Sequence, residues 1–425
     1  MPGEPDPTGR RTELLVLTGL APDVEEVIGR IRAVDPGVVV LHHDLTDITR
    51  GVVHRRLRDA GSDTTTVLEL AHGCASCTLR EDLLPTLRGL AETAERVVLH
   101  LDPALEPEQV CWALGNVLVE DTRIVDVVDL RGVITTVDAG SWLADATGDE
   151  TLGERGLAEL PDDERTVAQV AVGQAEFADL VVYTGGADGW DLARTDAVMT
   201  RLAPAALRLR LSELDERVLL TGLSDEAPRG RPDDLYGPLL RGRPPLDSDC
   251  GVRMLVFAER RPFHPERLCE AMDVLLDGVV RSRGRIWLAT RPDAVLWLES
   301  AGGGLQIGHV GEWLAAQDRD AWDAASPERR AMAALGWDPR FGDRAQDLVV
   351  IAHEGDPDTI EATLREALLT DAELAAGEDA WRVLPDPFGW WHPDPCDGDD
   401  GDTNDASGTA GGPVPADHTP RREDD

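Results

Sequence analysis

Two cysteines, Cys74 and Cys77, form the one C-x-x-C pair in a chain that has six cysteines in all. The first residues lack the apolar core of a secretory signal, so we expect a cytoplasmic protein. In a reducing compartment, such a pair is typical of metal binding or redox chemistry rather than of a structural disulfide. Both sulfur atoms would lie on one side of a tight turn, within reach of one zinc ion at about 2.3 Å. The pair therefore predicts a zinc site.

A tetrahedral zinc site needs two more ligands, and four histidines are candidates. His72 is close to the pair in sequence, and His42, His43 and His100 stand at the carboxyl ends of predicted strands. Those ends share the sheet edge at which doubly wound folds place their sites. Two alternatives stay open, namely a redox dithiol and a pair of cysteines that pack without a ligand.

A helix is predicted just after the cysteine pair. Thr78 and Glu81 have the spacing of a capping box, so we expect the helix to begin near Thr78. Cys77 would then lie at a helix N-terminus, where the helix dipole favours the thiolate. Cys111 and Cys269 fall in helical patterns, and we expect both to be buried.

The turn after the first predicted strand departs from a phosphate-binding loop. The motif G-x-x-x-x-G-K-[ST] uses backbone amides, a lysine and a hydroxyl to hold phosphates and magnesium. Counted from Gly19, its last three positions hold Val24, Glu25 and Glu26, and the chain contains no lysine. Two carboxylates there would repel a triphosphate. We therefore expect no GTP or Mg²⁺ binding at this degenerate loop, the alternative being a nucleotide site built by another route.

The sequence also departs from the guanine-binding motif of a G-domain. A G-domain carries N-K-x-D after a late strand, whereas the predicted strand 178–183 is followed by T-G-G-A. Asp188 lies one position too late for the motif. Because two separate elements of one site are missing together, we interpret the domain as one that has lost its nucleotide site.

The elements that position these residues alternate between strands and helices. The predicted strands are continuous Val/Leu-rich runs, which is typical of strands buried on both faces of a parallel sheet. They lie at residues 14–19, 38–45, 65–73, 96–103, 124–140 and 178–186, with helices such as 23–34 and 166–178 between them. The pattern predicts a doubly wound, mostly parallel α/β domain.

A second pattern follows a polar, Pro/Gly-rich stretch. Strands and helices from residue 251 onward predict a smaller α+β domain with helices packed on an antiparallel sheet. Within one of its strands, Arg281, Arg283 and Arg285 alternate and so share a face, which we expect to be solvated or, less often, to bind a partner.

These patterns give five segments. The predicted boundaries are a disordered leader 1–12, an α/β domain 13–223, a linker 224–250, an α+β domain 251–392 and an acidic disordered tail 393–425.

The net charge of the chain restricts the classes of molecule that it is expected to bind. The formal net charge is −40, from 81 acidic and 41 basic residues, and every basic residue is an arginine. Such acidity argues against non-specific binding to nucleic acid, which needs a basic surface. No run approaches the roughly 18 apolar residues of a membrane span. We therefore expect protein partners.

The loop G-C-A-S-C-T-L-R-E-D-L resembles the GC-x-C-C-T-L-R-x-D-L motif of the CobW-type G3E family of P-loop G-proteins and zinc metallochaperones. Ser76 stands where the family has its middle cysteine. Further similar stretches lie at residues 260–268, 281–292, 337–356 and 386–391, so the resemblance covers about residues 13–392. It implies a P-loop-type G-domain followed by a CobW C-terminal domain.

The resemblance also implies a function. Family members are GTP-dependent zinc metallochaperones, but the missing lysine and N-K-x-D argue against GTPase activity here. The C-x-x-C form is similar to a branch of zinc-responsive factors that recruit a ribosome hibernation factor to ribosomes. That branch implies the hibernation factor and the small ribosomal subunit as partners. We therefore expect a zinc-binding pseudo-GTPase adaptor, the alternative being a GTP-dependent zinc metallochaperone.

Overall fold

The computed structural model describes residues 11–20, 23–70, 74–157, 163–215, 223, 227–232, 234–240 and 242–389. The chain divides into two compact units: Met1–Pro232 with Arg241–Pro244, and Asp233–Leu240 with Pro245–Asp425. Most of the predicted leader and the whole predicted tail lie outside the described residues. No described helix is long and apolar enough to cross a membrane.

The first unit is built on an eight-stranded sheet of order β10-β9-β8-β1-β5-β2-β3-β4. Its strands, with a separate two-stranded ribbon of β6 and β7, are β1 Thr12–Thr18, β2 Val39–Asp44, β3 Val52–Arg58, β4 Asp63–Glu69, β5 Arg96–His100, β6 Leu118–Val119, β7 Thr122–Arg123, β8 Val128–Asp138, β9 Leu180–Thr184 and β10 Leu207–Arg210. The pairings from β10 to β2 are parallel, and only those of β3 with β2 and β4 are antiparallel. The predicted doubly wound, mostly parallel α/β fold is confirmed.

Helices cover both faces of this sheet. They are α1 Val24–Val34, α2 Ala75–Thr78, α3 Leu84–Leu90, α4 Pro107–Asn116, α5 Ile124–Val127, α6 Trp142–Thr147, α7 Leu152–Arg155, α8 Val167–Glu176 and α9 Gly189–Leu202, with a π-helical segment Leu79–Leu83 joining α2 to α3. Alternate residues of β1 enter different hydrophobic clusters, Leu14 and Val16 on one side and Leu15 and Leu17 on the other. A strand packed on both faces explains its continuous apolar sequence.

The far edge of the sheet differs from the prediction. Residues 65–73 were expected to form a strand of the buried series, but β4 is an antiparallel edge strand, exposed at six of its seven positions. The strand β3 was not predicted, because its sequence V-V-H-R-R-L-R has no apolar run. The start of the predicted strand 124–140 is the helical turn α5.

The second unit is a five-stranded antiparallel sheet of order β11-β15-β12-β13-β14, as the α+β pattern predicts. Its strands are β11 Arg253–Glu259, β12 Val279–Ile286, β13 Ala294–Ala301, β14 Gly304–Glu312 and β15 Gln346–Ala352. Its helices are α10 Pro265–Glu270, α11 Arg319–Ala324, α12 Pro327–Leu335, α13 Pro357–Glu366, α14 Asp371–Ala376 and α15 Glu378–Trp381. Cys269 on α10 is exposed, so its expected burial is wrong, whereas Cys111 on α4 is buried as expected.

The three alternating arginines of β12 are buried, so the expected solvated face is wrong. Arg283 donates to a backbone carbonyl at 2.8 Å, and Arg285 donates to two others at 3.1 and 2.8 Å. Those carbonyls belong to Leu239, Leu235 and Gly237. The predicted linker 224–250 therefore includes a segment that is part of the second unit, because its unpaired carbonyls satisfy buried guanidinium donors.

Candidate functional site

Cys74 caps the short helix that carries the C-x-x-C pair. Its backbone is extended, and its Sγ accepts a hydrogen bond from the backbone N–H of Cys77 at 3.3 Å. The predicted start of the helix near Thr78 is wrong, because the thiol of Cys74 already occupies the cap. Thr78 is buried inside the helix, and its hydroxyl donates to the carbonyl oxygen of Cys74 at 3.2 Å.

The two cysteines are free thiols, both partly exposed, and their Sγ atoms lie 3.0 Å apart. Both sulfur atoms can therefore bind a single zinc ion at the usual Zn–S distance of about 2.3 Å. The donor pair fits a thiophilic metal, and the same proximity also fits a redox dithiol.

Two of the candidate histidines contact each other. His42 of β2 and His100 of β5 stand opposite each other in the parallel register, and their rings stack with centroids 4.2 Å apart. The Nδ1 atom of His42 lies 3.0 Å from the carbonyl oxygen of His100. Burial lowers the pKa of His100 to about 3, and the positive charges of His42 and Arg58 add to this effect. His100 is therefore neutral at physiological pH, which is the form that binds metals.

The third histidine is engaged elsewhere. His43 is 2% exposed, and its Nε2 lies 2.7 Å from a carboxylate oxygen of Asp82. Asp82 also accepts a hydrogen bond from Arg55 at 2.7 Å. Burial raises the pKa of Asp82, but the hydrogen bond to His43 and the charge of Arg55 outweigh it and hold that pKa below its usual value. This network ties β2 and β3 to the helical segment that follows the cysteines.

Within the described part of the chain, no three His, Cys, Asp or Glu side chains are grouped as a metal site would need. The strand-end histidines are therefore not gathered with Cys74 and Cys77 into a four-ligand centre. Adjacent residues of a strand point to opposite faces, which separates His42 from His43. His72 lies outside the described residues, so its role as a ligand stays a prediction.

Gly19 and the helix α1 flank the loop whose sequence departs from the phosphate-binding motif. Gly19 has φ +146°, and a Cβ atom there would lie 2.0 Å from the Oγ1 atom of Thr136. Val24, the first residue of α1, is buried. Glu25, at the position of the motif's lysine, accepts two hydrogen bonds from Arg58 of β3 at 2.7 and 3.1 Å. The lysine position is thus occupied by a carboxylate in an ion pair.

The neighbouring acids are also held by local structure. Glu26 faces Arg30 one helical turn away at 3.8 Å. Asp188 caps α9, where its carboxylate accepts the backbone N–H groups of Trp190 and Asp191, each at 2.8 Å. The carboxylate of Asp188 therefore holds the first turn of α9. Sequence reasoning missed Arg58 because the strand that carries it was not predicted.

A mostly parallel α/β domain followed by an α+β sheet domain is the arrangement of a P-loop GTPase-like fold with a C-terminal accessory domain. The family model "CobW/HypB/UreG, nucleotide-binding domain" matches residues 37–209, and "Cobalamin synthesis protein cobW C-terminal domain" matches residues 252–368. The chain belongs to the CobW family.

Two relatives carry names that mention zinc. The chain is 43% identical over 396 residues to "Zinc chaperone Rv0106" of Mycobacterium tuberculosis, which covers 91% of this chain and 95% of that protein. It is 29% identical over 338 residues to "Zinc-regulated GTPase metalloprotein activator 1" of Dictyostelium discoideum, covering 76% and 70%. The Zn(II)-bound YjiA GTPase of E. coli is a looser match, at 14% identity, 84% and 99% coverage, and a TM-score of 0.36.

Proposed function

We propose that this chain is a zinc-binding adaptor that does not hydrolyse GTP and that engages protein partners according to its zinc occupancy. The observation that carries the proposal is a contrast between two sites. The thiols of Cys74 and Cys77 meet at 3.0 Å, whereas the lysine position of the phosphate loop holds Glu25 in an ion pair with Arg58. The name of the mycobacterial relative supports a role in zinc handling.

Residues of this chain prepare the cysteine turn for metal. Cys74 fixes the turn through its cap, which keeps the two Sγ atoms close together. Asp82, held by His43 and Arg55, anchors the segment after the pair to the sheet. Bound zinc would supply a cross-link between the two thiolates and the ligands that complete the site. Binding or loss of zinc would then change the conformation of the turn that carries Cys74 and Cys77 rather than that of the segment that Asp82 anchors.

The chain should give no measurable heat on titration with GTP and Mg²⁺. Glu25 and Arg58 form an ion pair that leaves no net positive charge at the position of the motif's lysine, so the site lacks the cation that would hold the outer phosphates. Isothermal titration calorimetry measures this, and the Glu25→Gln variant is the matched control. Because the neutral variant still lacks a lysine, it should not bind either.

The alternative is a GTP-dependent zinc metallochaperone. The nucleotide-binding family model and the printed name of the Dictyostelium relative favour it. Micromolar GTP binding by the unmodified chain, with turnover that responds to zinc, would replace the adaptor with this enzyme.

The partners we propose are a ribosome hibernation factor and the small ribosomal subunit, both in the cytoplasm. A tagged pull-down from cells grown with and without zinc should enrich them in one condition alone. The Cys74→Ser/Cys77→Ser variant should lose that dependence, while Cys269→Ser should keep it, because Cys269 is an exposed thiol on α10. Equal capture in both conditions, or capture of a zinc enzyme without ribosomes, would contradict the proposal.

A further inference from the structure

The strand β4 is the edge of the sheet in the part of the chain that the structure describes. It is seven residues long, pairs there with β3 alone and is exposed at six positions, including Val67 at 58%. Proteins usually protect such an edge with proline, charged side chains, a bulge or a covering element. The sequence D-T-T-T-V-L-E has no proline, its register against β3 is unbroken, and its charged residues, Asp63 and Glu69, stand at its two ends and leave the middle of the strand uncharged. This edge is therefore a template for one more strand.

The hydrogen bonds of the ladder define which groups face outward. The backbone N–H of Leu70 donates to the carbonyl oxygen of Gly51 at 2.9 Å, so Leu70 faces β3. Residues of an antiparallel edge strand alternate between facing the neighbour and facing outward. The outward backbone groups are therefore those of Asp63, Thr65, Val67 and Glu69.

The charge of β4 argues against a second copy of this chain. Antiparallel self-pairing centred on Thr66 would place Asp63 opposite Glu69, and like charges in that position are destabilising. Each copy also carries a formal net charge of −40, which opposes association.

The two ends of the chain fit this edge no better. Residues 1–10 contain three prolines, which cannot donate to a ladder, and residues 394–425 carry ten acids. The edge therefore suits an extended segment of another protein that carries positive charge. Glu69 makes no ion pair with any described residue, and Asp63 is paired with the half-exposed Arg56.

We propose that β4 accepts an extended basic segment of a partner protein as a ninth strand of the sheet. The segment would place basic side chains opposite Asp63 and Glu69 and β-branched side chains opposite Thr65 and Val67, all on one face. The role of this docking in recruiting a partner rests on the proposed adaptor function. Four residues separate the end of β4 from Cys74, so the proposed docking strand and the candidate metal turn are neighbours along the chain.

The test uses the full chain and two synthetic peptides, Arg-Thr-Val-Thr-Val-Thr-Arg and its Glu-ended counterpart. Fluorescence anisotropy should show saturable binding of the Arg-ended peptide and at least tenfold weaker binding of the other. Thr65→Pro removes one outward N–H without breaking the ladder to β3 and should weaken binding at least tenfold. Thr65→Ala keeps that N–H and should bind within about twofold of the unmodified chain.

Hydrogen exchange gives a second readout, since the peptide should protect the amides of Thr65, Val67 and Glu69. Binding that Thr65→Pro leaves unchanged, or protection elsewhere, would overturn the proposal. Protection of β4 without peptide, with a mass that rises with concentration, would make a second copy the occupant. The peptide should bind Cys74→Ser equally without zinc, so failure of the zinc site and failure of the docking strand are distinguishable.

Discussion

Replacing Cys74 with serine should lower the affinity for zinc by about 100-fold or more, since even lost outer-shell partners typically lower it 10–100-fold. The change removes one thiolate and also the cap acceptor for the N–H of Cys77. Competition with a chromophoric zinc chelator measures the affinity. Zinc should also raise the melting temperature of the unmodified chain but not that of the variant, because a ligand stabilises only the state that binds it.

The matched control is Cys269→Ser, which removes an exposed thiol of the second unit and should leave zinc affinity unchanged. The affinity of the unmodified chain should fall as pH falls, because protons compete with zinc for the thiolates. Unaltered zinc binding by Cys74→Ser would show that the metal is held elsewhere. Formation of a disulfide in mild oxidant, together with no zinc binding, would favour the redox dithiol.

Replacing Gly284 with alanine should destabilise the second unit by about 3 kcal/mol or more. Gly284 lies in β12, between β13 and β15, with φ +149°. An added Cβ atom would lie 2.0 Å from the backbone carbonyl oxygen of Asp347, so no side-chain rotation can relieve the clash. Urea unfolding followed by tryptophan fluorescence measures the effect, because the unit contains Trp287, Trp297, Trp313, Trp322, Trp337 and Trp381.

The Gly29→Ala substitution should change stability in the opposite direction from Gly284→Ala. Gly29 lies inside α1, and a Cβ atom there meets nothing within 4 Å. Alanine should therefore stabilise the first unit by about 0.5–1 kcal/mol through its higher helix propensity. Circular dichroism follows its unfolding. If the two substitutions changed the free energy of unfolding equally, the backbone at Gly284 would accommodate a Cβ atom without loss of stability, and the prediction would be wrong.

Local patterns in the sequence were sufficient for several features. The apolar runs of β1, β5 and β9 predict strands buried on both faces, because such strands need apolar side chains at every position. The spacing of Cys74 and Cys77 predicts two thiols on one turn, and they meet at 3.0 Å. The absence of lysine alone removes the phosphate-binding side chain of a P-loop.

Pairings between distant residues could not be predicted in this way. The ion pair of Glu25 with Arg58 joins residues 33 positions apart, and the contact of His43 with Asp82 spans 39. The sequence of β3 gives no apolar run, so the strand exists because β2 offers it an antiparallel partner. Whether an arginine of β12 is solvated depends on a segment more than 40 residues away.

The sequence by itself determined the two-domain α/β and α+β order, the family resemblance, the thiol pair and the loss of the P-loop lysine. These are set by composition and by spacings within a few residues. Only the tertiary structure decided that Cys74 caps its helix, that His42 stacks on His100 and that β4 is a free edge. The cap depends on the local backbone conformation that the turn adopts. The stacking of the histidines and the position of β4 depend on which distant strands pair, and a one-residue shift in register would change both.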